Sequence, residues 1–247
     1  MKKLLSIVGI AAMAVGLHAA DSFKTLVAAR NYPAIIAQAD TFLKEARENA
    51  NQGFKDRVIH SIILARLSTG AYQNSSAAIA DLEAIIKDIG YTRNSAPWAR
   101  IFIHEKFKEY DKALSVPATD GSSKLRRAIV LAALKRYEEA ADLAFSVGTS
   151  YAILAATRHI RQAKAPEKLY SYVLTGFSTG AIKEAADVKK LIVQILETDF
   201  SGTSINDAKI KVLLQTANRR YSRLLKPGVV SDWDETIQMI RQTLETY

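Results

Sequence analysis

Between Tyr32 and Tyr247 the apolar residues recur at spacings of three and four, and sustained alternation of Val, Ile and Thr with polar residues is scarce. The pattern predicts helix after helix and no sheet. A first helix is expected near Ser22 to Ala29, with Asp21 or Ser22 as its cap. A second should start at Pro33, whose missing N–H is not needed at the first helical position. That second helix would bury Ile35, Ile36, Ala39, Phe42, Leu43 and Ala46. Further helices are expected over about 54–68, 76–89, 97–107, 110–116, 122–134, 137–146, 151–162, 166–174, 179–197, 205–225 and 231–245. Gly70, Gly90 and Gly148 fall just past three of them, where a left-handed residue is wanted. No linker is long enough to force two independent domains.

Three stretches echo one another: Arg30-Asn31-Tyr32-Pro33-Ala34, Lys108-Glu109-Tyr110-Asp111-Lys112-Ala113 and Lys135-Arg136-Tyr137-Glu138-Glu139-Ala140. Each is a polar turn, a Tyr and an immediate helix start, and Gly70-Ala71-Tyr72 is a weaker fourth. Two helices joined by so short a turn need an aromatic to fill the wedge at the elbow and a small residue to let them approach. Ala113 and Ala140 meet the second need, and Tyr110 and Tyr137 are expected to be buried.

These elbows resemble the tetratricopeptide repeat, in which a Tyr is followed three positions later by Ala. The best copy is Tyr137 to Ala140, with small Ala128 nine residues upstream. Elsewhere the chain departs from the pattern. Elbow spacings are 40, 38 and 27 residues, Ile63 and Ile101 replace the small residue, Ser75 replaces the Ala, and the W-x2-L-G-x2-Y opening and closing Pro are missing. The resemblance implies an all-α, right-handed solenoid of antiparallel helix pairs, with repeats over residues 21–147 and helices continuing over 148–247. It also implies ligand contacts eight and twelve residues before each elbow Tyr: His60 and Leu64, Trp98 and Phe102, Leu125 and Ile129. That lining would suit an amphipathic helix or an extended apolar segment of a partner protein, with Arg57, Arg100, Arg126 and Arg127 close by to meet its acids.

The N-terminus adds an address. Met1-Lys2-Lys3 is a short basic start, Leu4 to Leu17 is an apolar run of 14 residues, and Ala19-Ala20 offers small residues for cleavage. The run is shorter than the roughly 20 residues that span a bilayer, so residues 1–20 read as a secretory signal peptide. The expected compartment is the bacterial periplasm or the secreted fraction, with no transmembrane span after signal removal.

Composition then narrows the chemistry. The chain has 247 residues, 49% of them hydrophobic, and no cysteine, which excludes disulfide scaffolds, thiolate metal sites and thiol nucleophiles. His104-Glu105 opens an H-E-x-x-H match, but Lys108 occupies the second histidine position. Neither S-x-x-K, G-x-S-x-G nor a phosphate loop occurs. No catalytic residue, metal or cofactor is assigned. The leading expectation is an exported scaffold or adaptor that binds a protein or peptide. The alternatives are an envelope enzyme accessory or cell-wall-active hydrolase, and a binder of anionic envelope polymers or lipid head groups. Net charge is +9 and falls by two when Lys2 and Lys3 leave with the signal. Nucleic acid is not expected, because aromatics are not interleaved with the basic residues.

One segment concentrates the positive charge. Lys209 to Lys226 holds Lys209, Lys211, Arg219, Arg220, Arg223 and Lys226 and no acid. On a helix, Lys209, Arg219, Arg220, Arg223 and Lys226 gather on one flank, opposite a stripe of Ile210, Leu213, Leu214, Ala217, Tyr221, Leu224 and Leu225. Lys209, Arg219, Arg220 and Arg223 are the candidate anion-binding residues, with Asp232, Asp234 and Glu235 placed to neutralise part of the ridge. Trp233, capped by Ser231, is expected to plug the end of the stack. Intact-mass measurement of the exported protein should find a chain that begins at Ala20 or Asp21. A mass that retains Met1 to Leu17 would make the segment an anchor.

Overall fold

The computed structural model describes residues 23–92 and 96–247, and the signal peptide expected over residues 1–20 lies outside them. Among the described residues every regular element is a helix. The chain divides into two compact units, the first ending at Pro117 and the second starting at Ala118.

The first unit is described from α1, helical over residues 23–28. It continues with α2 (Tyr32–Ala37), α3 (Ala39–Glu48), α4 (Gln52–Ser68), α5 (Ser75–Asp88), α6 (Pro97–Lys106) and α7 (Tyr110–Ser115). The single helix expected from Pro33 is in fact two, broken at Gln38, where φ −103° and ψ 8° leave the helical basin. α4 is the central element. It packs against α2, α3, α5 and α6, and α6 packs on α7. Its Ile59, Ile62 and Ile63 are fully buried with Phe42, Leu82 and Ile103. Burying six such side chains, at roughly 1.5–3 kcal/mol each, is the main force holding this unit together.

The second unit comprises α8 (Gly121–Ala133), α9 (Tyr137–Phe145), α10 (Ser150–Gln162), α11 (Pro166–Thr179), α12 (Ala185–Leu196), α13 (Asp207–Tyr221), a 3-10 turn (Ser222–Leu224) and α14 (Asp232–Thr246). Consecutive helices pack from α8 to α11. Beyond them contacts also join alternate helices, α10 with α12, α11 with α13 and α12 with α14. Ala128, Ala140, Ala141, Ala144, Ala152 and Ala156 are buried on α8 to α10, so the backbones there approach without large side chains between them. The expected helix over 179–197 starts instead at Ala185, because Gly180, at φ +66°, turns the chain out of α11.

One turn recurs. At Arg30, Lys108, Lys135 and Lys164 a non-glycine residue takes φ between 52° and 61°, and the next helix starts two residues later. The residue after each donates its N–H five positions back: Asn31 to Leu26 (3.0 Å), Glu109 to His104 (2.9 Å), Arg136 to Leu131 (2.9 Å) and Ala165 to Ile160 (3.3 Å). This is the six-to-one bond of the Schellman turn, which satisfies a carbonyl left open at the helix end. Left-handed backbone costs a residue with a Cβ about 1–2 kcal/mol. All four residues are basic and exposed. A cation two positions past the last helical residue recovers about 0.3–1 kcal/mol from the dipole. The three sequence echoes are therefore real turns, and Lys164-Ala165-Pro166 is a fourth, with Pro in place of Tyr.

The elbow tyrosines Tyr110 and Tyr137 are half-buried rather than buried, because the turn is held by backbone bonds and needs no aromatic plug. Ala113 and Ala140 are fully buried, as the close approach of the helices requires. Lys135→Val should lower stability by about 1 kcal/mol, although the side chain is exposed, since a β-branched residue resists positive φ. Lys135→Gly should not destabilise. Denaturant midpoints check both, and a Val variant as stable as the parent would contradict a left-handed Lys135.

Candidate functional site

In the first unit three predicted contact residues meet where α4 faces α6. The His60 ring lies 4.9 Å from that of Trp98 and stacks on Phe102 at 6.3 Å. Trp98 and Phe102 are only 7% and 3% exposed, so they are packed core and do not form an open aromatic lining. Arg57 is exposed at the same helix start, and Leu64, one turn on, is half-buried. The Lys106 ammonium sits 5.3 Å over the Phe102 ring.

Beneath this cluster Asp56 holds the approach to α6. Its carboxylate accepts from the Tyr91 hydroxyl (2.7 Å) and from the Trp98 indole N–H (3.0 Å). The preceding Lys55 is buried and donates to the carbonyls of Ile89 and Gly90, at the C-terminal end of α5. Two adjacent residues of α4 thus fasten the residues that follow α5, and their work is structural.

His104, the other chemically suggestive residue, donates from or accepts at Nδ1 2.7 Å from the Glu109 carboxylate, which also binds Lys112 Nζ at 3.0 Å. The Ser75 hydroxyl, His104 and Lys112 together hold the Glu109 carboxyl down to about 2, against an ordinary 4.5. Serine and histidine here both serve the carboxylate. A nucleophile needs the histidine to take the serine proton, and this order does not provide it. His159 is pushed below its usual range by burial and by the neighbouring Arg158. Among the described residues no group of three His, Asp or Glu side chains is placed to hold a metal.

In the second unit Arg126 and Ile129 lie on α8, Arg126 half-buried and Ile129 40% exposed. The basic segment is divided. Lys209 sits in the first turn of α13, bonded through Nζ to Ser204 Oγ at 3.1 Å. Ten residues of helix, about 15 Å, separate it from Arg219. Lys209 therefore does not share a site with the arginines, which corrects the single ridge expected from the sequence. The apolar stripe also stops early: Ile210, Leu213, Leu214, Ala217 and Tyr221 are buried, but the helix ends at Tyr221 and Leu224 is exposed.

Arg219, Arg220 and Arg223 line a surface cleft of about 320 Å³ together with Ser178 and Thr216. Arg220 is held in place: one guanidinium N–H donates to the Thr179 carbonyl at 3.1 Å, at the C-terminal end of α11. Its guanidinium crosses Gly180 so closely that a Cβ there would lie 2.1 Å from Nη2. The Ser178 and Thr216 hydroxyls each bond the carbonyl four residues back, at 2.8 Å, which fixes their positions in the wall. Asp234 does not neutralise the cluster, because its carboxylate accepts from the Ser231 N–H at 3.0 Å and caps α14. Trp233 is half-buried and stacks on Tyr221 at 5.2 Å. Ser178, Thr216 and the Gly180 seat carry no motif, and no sequence signal pointed to them.

No protein-family model, curated protein or solved structure matches this chain.

Asp56→Ala should cost about 2 kcal/mol in chemical denaturation, the usual penalty for removing the acceptor of a buried donor, here the Trp98 indole N–H. Asp56→Asn should recover most of it. Glu109 makes a second expectation. Its folded carboxyl titrates below its unfolded one, so its contribution is present above about pH 4.5 and lost as pH falls towards 2. Glu109→Gln should flatten the acid limb of a stability-versus-pH curve in that window, and an unchanged limb would contradict the assignment.

Proposed function

We propose that the protein is an exported helical-repeat scaffold or adaptor of the bacterial cell envelope. It binds a protein partner and performs no reaction of its own. The observation that carries the reading is the recurrence of one short basic elbow, at Arg30, Lys108, Lys135 and Lys164, with helix packing that runs between consecutive and alternate elements. Such a chain adds helix pairs in register, as a tetratricopeptide-like right-handed solenoid does, and its product is surface.

Partner contact is assigned to the α8 face, where Ile129 is exposed one turn beyond Arg126. An apolar anchor beside a cation suits an amphipathic helix with an acidic edge. With Trp98 and Phe102 packed inward, His60, Arg57 and Leu64 are a secondary contact at most. The test is a photo-crosslinking residue at position 129 in the protein as the cell exports it. The proposal predicts a discrete adduct with another protein and its loss when Arg126 is changed to Glu. Irradiation that yields no adduct at position 129 would reject the α8 assignment.

A further inference from the structure

The connection from α13 to α14 combines two features that neither a helix end nor a solvated loop requires. The first is a set of cations without acids. No Asp or Glu occurs between Asp207 and Asp232, and Arg219, Arg220 and Arg223 form no ion pair with a carboxylate among the described residues. Arg47 with Asp88, Arg66 with Asp81, Arg100 with Glu83, Arg136 with Glu139 and Lys168 with Asp142 show the alternative, a cation met by a carboxylate. Arg219, in the last turn of α13, and Arg223, in the 3-10 turn that follows, line the same cleft and repel one another.

The second feature is apolar exposure. Leu224 is 48% exposed, Val229 52% and Val230 89%, within seven residues. Single exposed apolar side chains are ordinary, but three on one connection beside four cations, Lys226 included, are not. Val229 donates its N–H to the Lys226 carbonyl at 3.2 Å across Pro227 and Gly228, so the tip is a defined turn. Asp232, Asp234 and Glu235 follow in the first turn of α14, where the dipole holds them, and none pairs with the arginines.

We propose that this end of the second unit is a docking site for an anionic phospholipid surface. The cleft of Arg219, Arg220 and Arg223, walled by Ser178 and Thr216, takes a lipid phosphate. Leu224, Val229 and Val230 enter the boundary between head groups and acyl chains. Charge complementarity selects a phosphate, and the apolar tip selects a lipid over a soluble ion: a cleft built for free phosphate has no use for three exposed aliphatic side chains in the connection that runs on from its arginines. The contact lies on the membrane and does not cross it, which agrees with the absence, among the described residues, of a helix long and apolar enough to span. The site does not depend on the repeat reading or on the partner assigned to α8.

The test is co-sedimentation of the purified full chain with vesicles of phosphatidylglycerol and phosphatidylcholine, set against vesicles of phosphatidylcholine alone. Preferential binding to the anionic vesicles, steeply weakened by salt, is expected. Changing Arg219, Arg220 and Arg223 to Gln should reduce it roughly a hundredfold, given about one kcal/mol per cation near an anionic leaflet. Changing the three to Lys should restore much of it. Leu224→Ser with Val229→Ser and Val230→Ser should also weaken vesicle binding, and helical circular dichroism should be unchanged in all variants. Two results would overturn the proposal. One is vesicle binding indifferent to the arginine and aliphatic changes. The other is binding that ignores the aliphatic change and is displaced by millimolar inorganic phosphate, which would make the cleft a site for a small soluble oxyanion.

Discussion

The structure depends on how a helix can be reversed in two residues. A helix end leaves carbonyls without partners, and a chain that must return along its own helix has no room for a loop to satisfy them. The left-handed residue at Arg30, Lys108, Lys135 and Lys164 meets both demands, since it bends the chain and points the next N–H back at the carbonyl five residues earlier. Its positive charge sits at the negative end of the helix it closes. Where glycine takes the role, at Gly70, Gly90 and Gly180, the same backbone bond forms with no Cβ to resist it.

Packing and sites follow from that turn. Short reversals set helices side by side in chain order, and the buried alanines of α8 to α10 let them approach. Where a helix must be fastened to something distant in sequence, polar side chains act: Lys55 and Asp56 tie down the residues after α5, and Arg220 closes the C-terminal end of α11 across Gly180. The second of these leaves a residue. Lys55 and Asp56 are fully engaged inside the fold, whereas Arg220 reaches α11 with one edge of its guanidinium and presents the rest to a cleft shared with Arg219 and Arg223. A structural cap thereby becomes part of a positive surface.

Helix identity was legible in the sequence because apolar spacing survives any arrangement of the helices, and most boundaries fell within two residues. The misses have physical causes. Gln38 breaks a helix with no Gly or Pro to announce it. Gly180 ends α11 five residues later than the periodicity suggested, and the α13 stripe ran through a 3-10 turn that still carries apolar residues. The Tyr of the elbow echo drew attention to three turns, yet the determinant is the basic residue two positions earlier, so Lys164 before Pro166 went unseen. Among site residues, the repeat resemblance named His60, Trp98 and Phe102 as lining; their rings do meet, but the resemblance could not say that Trp98 and Phe102 would face inward. The basic segment was visible as composition. Its division between Lys209 at one end of α13 and a cleft at the other was not, because a linear charge count ignores 15 Å of helix.

Native-state hydrogen exchange at four backbone amides tests this account most directly. Asn31, Glu109, Arg136 and Ala165 lie outside regular helix at surface turns, where an unbonded amide exchanges quickly. If the left-handed turn is what joins these helices, all four are protected to nearly the level of the adjoining helix ends, and Lys135→Val selectively releases Arg136. Exchange at the four amides as fast as in an unstructured peptide would contradict it, since the helices would then be joined by loops with no common geometry.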